Sequence, residues 1–224
     1  FGPDPFNLGY LVIPITVIWI VGMINTLNWL DTMDGLAGGV ALISAGVLVA
    51  ASLLKRTGSF EQRQYTVAVL ALALVGACLG FLVYNFHPAR IFMGTSGSMF
   101  LGYALGVISI IGGAKIATAV LVLGLPILDT AFVILRRLAA GRSPMQGGDG
   151  AHLVHRLLRI GFNVRQITLL VYAVTALFGA LSVLFVREQR IIAFAMLALV
   201  IGGVFLFVQW NTARSRKSEV GSAK

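Results

Sequence analysis

The sequence predicts an all-α fold, a polytopic transmembrane helical bundle of about seven spans, on three observations. Hydrophobic residues fill 58% of the 224 positions and charged residues only 11%, with a mean hydropathy of +0.93. A soluble domain of this size carries about 25% charge, so the apolar surplus has to face lipid. The apolar residues also gather into runs near the ~20 residues that one helix needs to cross the hydrocarbon core. Finally, those runs are continuous rather than alternating, which argues against a β-barrel.

Each span is marked by the polar loop that ends it, with boundaries good to about three residues. The first segment, 9–30, runs into the acidic loop 31–34, and the second, 35–54, stops at Lys55-Arg56. The third, 65–84, ends at the loop 85–97, and the fourth, 98–112, is short for a span and borrows its flanks. The fifth, 116–135, leads into Arg136-Arg137 and the long loop 136–166, within which 150–158 forms a short interfacial helix with Arg156 and Arg159 toward lipid headgroups. The sixth and seventh, 167–186 and 191–210, precede a basic tail, 211–224. Without internal repeats, residues 1–224 read as one transmembrane domain, and 26 glycines suit close helix approach.

Alternating the loops across the bilayer puts 31–34, 85–97, 136–166 and 211–224 on one side, with eleven of the seventeen basic residues. The positive-inside rule makes that side cytoplasmic, in a plasma membrane. It also accounts for the net charge of +9 better than nucleic acid does, since no basic-aromatic module is present. The lone Cys78 permits neither an internal disulfide nor a cysteine metal site. The chain starts at Phe1 without a signal peptide, so it is expected to begin partway through a longer protein.

Three clusters carry candidate chemistry, all on the side assigned to the cytoplasm. In the first, Asn25, Asn28, Asp31 and Asp34 follow one another in steps of three, as neighbours on a helix face. Two carboxylates and two amides suit a hard cation such as Mg²⁺ shared with substrate phosphates. They equally suit a helix end followed by an Asp34 cap with Gly35 in the turn. The second cluster, Asn85 to Ser98, places Gly94, Thr95, Ser96 and Gly97 ahead of a helix, where backbone N–H groups favour phosphate. An ordinary Ser/Thr cap reads the same way, and His87 before Pro88 reads as a loop residue.

The third cluster, Asp149 to Arg156, sets His152 and His155 on one helix face, suited to phosphate contact or solvation rather than zinc, for which ligands are too few. Asp129, an acid inside a span, is functional or paired with a nearby Arg such as Arg136.

At these residues the sequence resembles the polyprenyl-phosphate N-acetylhexosamine-1-phosphate transferases, glycosyltransferase family 4. Asn25–Gly39 is similar to the family's Asn-x-x-Asn-x-x-Asp-Gly-x-Asp-Gly-Leu-Ala-Gly-Gly signature, and Asn85–Ser98 to its Asn-x-x-Pro-Ala-x-x-Phe-Met-Gly-Asp-x-Gly-Ser signature. Residues 126–158 resemble its Pro-x-x-Asp-Thr, Arg-Arg, Gly-x-Ser-Pro and His-x-His-His-Arg segments, the last pointing to the GlcNAc branch. The resemblance covers nearly the whole chain, as a C-terminal portion of the family's length.

It implies transfer of a sugar-1-phosphate, GlcNAc-1-phosphate in that branch, from a UDP-sugar to a polyprenyl phosphate with release of UMP, in making cell-envelope precursors. The implied cofactor is Mg²⁺, with Mn²⁺ as an allowed substitute, and the implied partners are the bilayer, both substrates and a second copy in a homodimer. Asp31, Asp34, His152 and His155 would be catalytic, and Asn25, Asn28, Asn85, Ser96, Gly97 and Arg156 substrate-binding. The metal would rest on Asp31, Asp34 and Thr95, the last standing where the family has Asp. Thr32, Gly150 and Val154 also depart from the pattern, and the family has an Asp-Asp pair upstream of the position of Phe1. These departures imply little turnover by this chain alone, and the alternative function is a non-catalytic membrane protein of the same fold that binds nucleotide or lipid phosphate.

Overall fold

A computed structural model describes residues 9–54, 61–112, 116–139 and 152–185, with backbone alone at 61–64 and isolated positions at 141, 143, 192, 195, 196, 199, 202 and 203. Asp149, Gly150, the tail 211–224 and nearly all of the seventh segment, 191–210, lie outside the described residues. The protein is an all-α, multi-pass membrane protein. Among the described residues five helices are long and apolar enough to span, or six if one bent pair makes a single crossing; the seventh expected span, 191–210, lies almost wholly outside them.

A 3₁₀ turn at Gly9–Leu11 leads into α1 (Val12–Leu30), followed by α2 (Leu36–Leu54), α3 (Glu61–Asn85) and α4 (Gly94–Ile111). Then come α5 (Ile116–Val122), α6 (Gly124–Ala139), the short α7 (Leu153–Arg159) and α8 (Val164–Leu184). As expected, the fourth helix takes residues from its upstream flank, starting at Gly94.

The fifth segment is not one straight span: α5 and α6 meet at 77° around Leu123. Pro126 supplies the reason. It has no N–H, and its ring clashes with the carbonyl four residues back, at Val122, where α5 ends. The helix in the long loop is also shorter than 150–158, covering Leu153–Arg159.

Helix α2 is the centre of the bundle, packed against α3, α8 and α4, while α1 pairs with α4. Met23, Leu27, Leu36, Val40, Leu48, Val67, Leu105 and Ile167 are buried where these helices meet. The outward residues, such as Ile18, Val69, Leu72 and Leu177, are apolar as well, because lipid rather than water surrounds them. The α1–α4 pair is close enough that a Cβ on Gly102 would lie 2.4 Å from the Met23 carbonyl oxygen. Trp19 on α1 secures it by donating its indole N–H to Ser109 Oγ at 3.1 Å.

Two local devices set the helix ends that matter below. Asn163 opens α8 with a capping box: its side chain accepts from the Gln166 N–H at 2.9 Å, and Gln166 accepts from the Asn163 N–H at 3.0 Å. Between α1 and α2 the chain reverses through Gly35, whose φ of +77° few residues other than glycine tolerate.

Candidate functional site

The first two clusters are bonded to each other. Asn28, one turn from the end of α1, accepts a hydrogen bond from Ser98 Oγ on α4 at 3.1 Å. The α1–α2 loop docks on the α3–α4 loop through Asp34, whose Oδ2 accepts from the Ala89 N–H at 3.1 Å and meets His87 Nδ1 at 2.8 Å. The backbone donor, opposed by partial burial and helped by His87, holds the Asp34 carboxyl below the usual carboxylate range. Asp31 has the opposite character. It sits at the end of α1, and burial pushes its pKa up, because the charged form loses hydration there.

The peptide at Gly35 is held from two sides. Its N–H donates to Asn85 Oδ1 at 3.0 Å, and the Tyr172 hydroxyl of α8 donates to its carbonyl. Asn85 is buried and uses the other end of its carboxamide on the Ile91 carbonyl at 2.9 Å. Its side chain is therefore spent on joining the loops. Arg165, in the first turn of α8, adds a third tie by donating from Nε to the His87 carbonyl at 3.1 Å. His87, read from sequence as a loop residue, is thus the hinge-pin of this end of the bundle.

The third cluster reaches the same end through α6 and α1. Asp129, 5% exposed, pairs with His152 and not with Arg136, which lies exposed about two turns further along α6. Asp129 Oδ2 meets His152 Nδ1 at 2.8 Å, and Oδ1 accepts from the Leu153 N–H at 2.8 Å. On its other side the His152 ring lies 6.3 Å from the ring of Trp29, between Asn28 and Asp31 on α1.

Arg156 does not face lipid headgroups as expected. It is 6% exposed, because α7 packs its Leu153, Val154 and Leu157 face inward, and the guanidinium lies 5.6 Å over the Phe132 ring. His155 is partly exposed and Arg159 exposed. Val154, where the family pattern has a histidine, belongs to the apolar core, so that departure removes nothing from the open face.

The remaining candidates stand apart from these contacts. Asn25 donates to the Val21 carbonyl in its own helix at 2.8 Å. Thr95 and Ser96 are exposed in the first turn of α4, which carries no side-chain cap, and Gly97 packs against Met93.

The donor set tests the fit of a cation. Among the described residues no three acidic, His or Cys side chains gather as a protein-only cage. Asp31, a partly buried carboxylate, and Asp34 are hard oxygen donors of the kind a divalent cation takes when water and phosphate complete its shell.

A family model described as glycosyl transferase family 4 matches residues 1–113. The chain is 37% identical over 185 residues to a protein of Bacillus subtilis named probable undecaprenyl-phosphate N-acetylglucosaminyl 1-phosphate transferase, covering 80% of this chain and 49% of that one. With the decaprenyl-phosphate N-acetylglucosaminephosphotransferase of Mycolicibacterium smegmatis it shares 40% identity over 191 residues, covering 76% and 47%. With the phospho-N-acetylmuramoyl-pentapeptide-transferase of a Geobacillus species it shares 31% over 177 residues, covering 79% and 52%. The chain therefore spans about half the length of the curated relatives it matches.

Proposed function

Because the chain belongs to glycosyl transferase family 4, we propose that it supplies part of the active site of an enzyme moving GlcNAc-1-phosphate from UDP-GlcNAc to a polyprenyl phosphate. The observation that carries this reading is the meeting, at one end of a membrane bundle, of Asn28–Ser98, Asp34–His87 and Asp129–His152. Ionisable groups within or beside membrane helices are rare, pair with one another and mark functional sites by default. The higher identity to relatives named for N-acetylglucosamine, 37–40% against 31%, supports that sugar. The loop charge bias supports placing this end of the bundle on the cytoplasmic face of the membrane.

In the reaction an oxygen of the lipid phosphate attacks the β-phosphorus of UDP-GlcNAc. The new P–O bond makes a lipid diphosphate-sugar, the bond from the β-phosphorus to the bridging oxygen breaks, and UMP leaves with that electron pair. Such transfers depend chiefly on positioning and charge neutralisation. A divalent cation, Mg²⁺ or Mn²⁺, supplies charge neutralisation when bound, and Asp31 would hold it with Asp34 and Thr95. Asn28, fixed by Ser98, and Asn25 line the same helix end, while Asn85 shapes it through Gly35. The bare first turn of α4, with Ser96 and Gly97, favours phosphate oxygens. His152 and His155 face the phosphates, with Arg156 behind them as a fixed positive charge, and the apolar helix walls take the prenyl chain.

The test is UMP release by the complete gene product from UDP-GlcNAc, undecaprenyl phosphate and Mg²⁺. Release that requires all three supports the reading. Robust UMP release without the lipid, or none with every component present, sinks it.

A further inference from the structure

We infer that Asp129 is a positioning residue that fixes His152 with Nε2 as its working atom. The inference rests on the reading above only in taking His152 to face the substrate. Asp129 is 5% exposed on α6, and both its oxygens are committed to α7, Oδ2 to His152 Nδ1 and Oδ1 to the Leu153 N–H, each at 2.8 Å. The two bonds to consecutive residues fix the backbone at the head of α7 and the plane of the imidazole together. Trp29 borders the ring from α1.

A carboxylate only accepts, so the shared proton sits on Nδ1. Nε2 is then left as the atom turned away from the pair. A buried acid that merely tethered a loop would need the Leu153 bond alone. The second bond, to a ring nitrogen, additionally dictates which nitrogen of His152 carries hydrogen, a detail that decides what an imidazole can do to a phosphate.

Asp129→Asn separates tether from tautomer. The amide can keep both contacts, accepting from the Leu153 N–H and donating to Nδ1, but it moves the ring proton to Nε2. The chain has three histidines, His87, His152 and His155, and ¹⁵N-histidine NMR of the complete gene product in micelles at alkaline pH reads the tautomers, with His152→Gln identifying the His152 signals. The expected wild-type signal for His152 is the Nδ1–H tautomer, changing to Nε2–H in Asp129→Asn. A wild-type Nε2–H tautomer overturns the inference, whether or not Asp129→Asn folds.

In the complete gene product, Asp129→Asn is expected to lower kcat by about a hundredfold or more, with KM for UDP-GlcNAc changed less than threefold. Unchanged kcat despite a switched tautomer would leave Asp129 as a tether only and overturn its positioning role. Failure of the wild-type enzyme to transfer sugar phosphate would instead defeat the proposed function, and the NMR result would decide the Asp129–His152 pairing by itself.

Discussion

Substituting Gly39 by Ala changes one methyl group, and the structure fixes both its cost and the condition under which that cost reverses. A Cβ on Gly39 would stand 1.8 Å from the Tyr172 hydroxyl oxygen and 1.9 Å from the carbon bearing it, where real Cβ contacts essentially never fall below 3.0 Å. The Tyr172 ring would have to move by more than an ångström, giving up its bond to the Gly35 carbonyl. Overpacking of this kind costs about 1–3 kcal/mol, and an interhelical hydrogen bond in a membrane protein about 0.6 kcal/mol. Against that, Gly→Ala inside a helix gains about 1 kcal/mol. The net expectation is a loss of about 0.5–2.5 kcal/mol.

With Tyr172→Ala already present, the clash and the bond are gone and only the helix gain remains. Gly39→Ala should then be neutral or stabilising by up to about 1 kcal/mol. SDS-driven unfolding in mixed micelles, run as a double-mutant cycle, reads both steps. A cost for Gly39→Ala that is the same in the two backgrounds would refute the packing of Tyr172 on Gly39.

Three further outcomes follow from the site. Asp31→Asn should raise the thermal stability of the fold at neutral pH while abolishing cation-dependent transfer. The sign follows from the raised folded pKa, which makes stability greatest with Asp31 protonated and lessens it as pH rises through that value; a lowered melting temperature would contradict it. Asp34 has the opposite sign: its folded pKa is depressed, so its contribution is present above the ordinary carboxylate value of about 4 and is lost as pH falls below it. Melting in detergent from pH 6 to pH 3 should therefore show a smaller loss of stability in Asp34→Asn than in the wild type, and parallel curves would rule that out. Thr95→Asp, adding the charge that the family pattern has there, should lower the Mg²⁺ concentration for half-maximal UMP release by the complete gene product at least severalfold, and no change would remove Thr95 from the metal site.

The spans were legible in sequence because membrane helices must satisfy their backbones internally, so composition alone marks them. The bend does not show in hydropathy, because an apolar run of the right length looks straight, although Pro126 two residues after Gly124 carries the signal. The polar residues of the three clusters stand out in sequence, but the bonds between them do not. Asp129 and His152 stand 23 residues apart in sequence, and no local spacing rule links an acid on one helix to a histidine beyond a long loop.

The proline after His87 marks it as a loop residue in sequence, whereas its value lies in a partner, Asp34, 53 residues upstream. The charge of Arg156 points to lipid headgroups. The i, i+3, i+4 pattern of Leu153, Arg156 and Leu157 already placed it on the apolar face of α7, with Phe132 to receive it.

The most direct test of sugar-phosphate transfer follows the label in UDP-GlcNAc carrying ³²P at the β-phosphate, incubated with the complete gene product, undecaprenyl phosphate and Mg²⁺. Attack at the β-phosphorus puts the label in the lipid fraction and leaves the released UMP unlabelled. Label recovered in a water-soluble nucleotide or as free sugar phosphate, with none in lipid, would contradict the transfer chemistry assigned to this site.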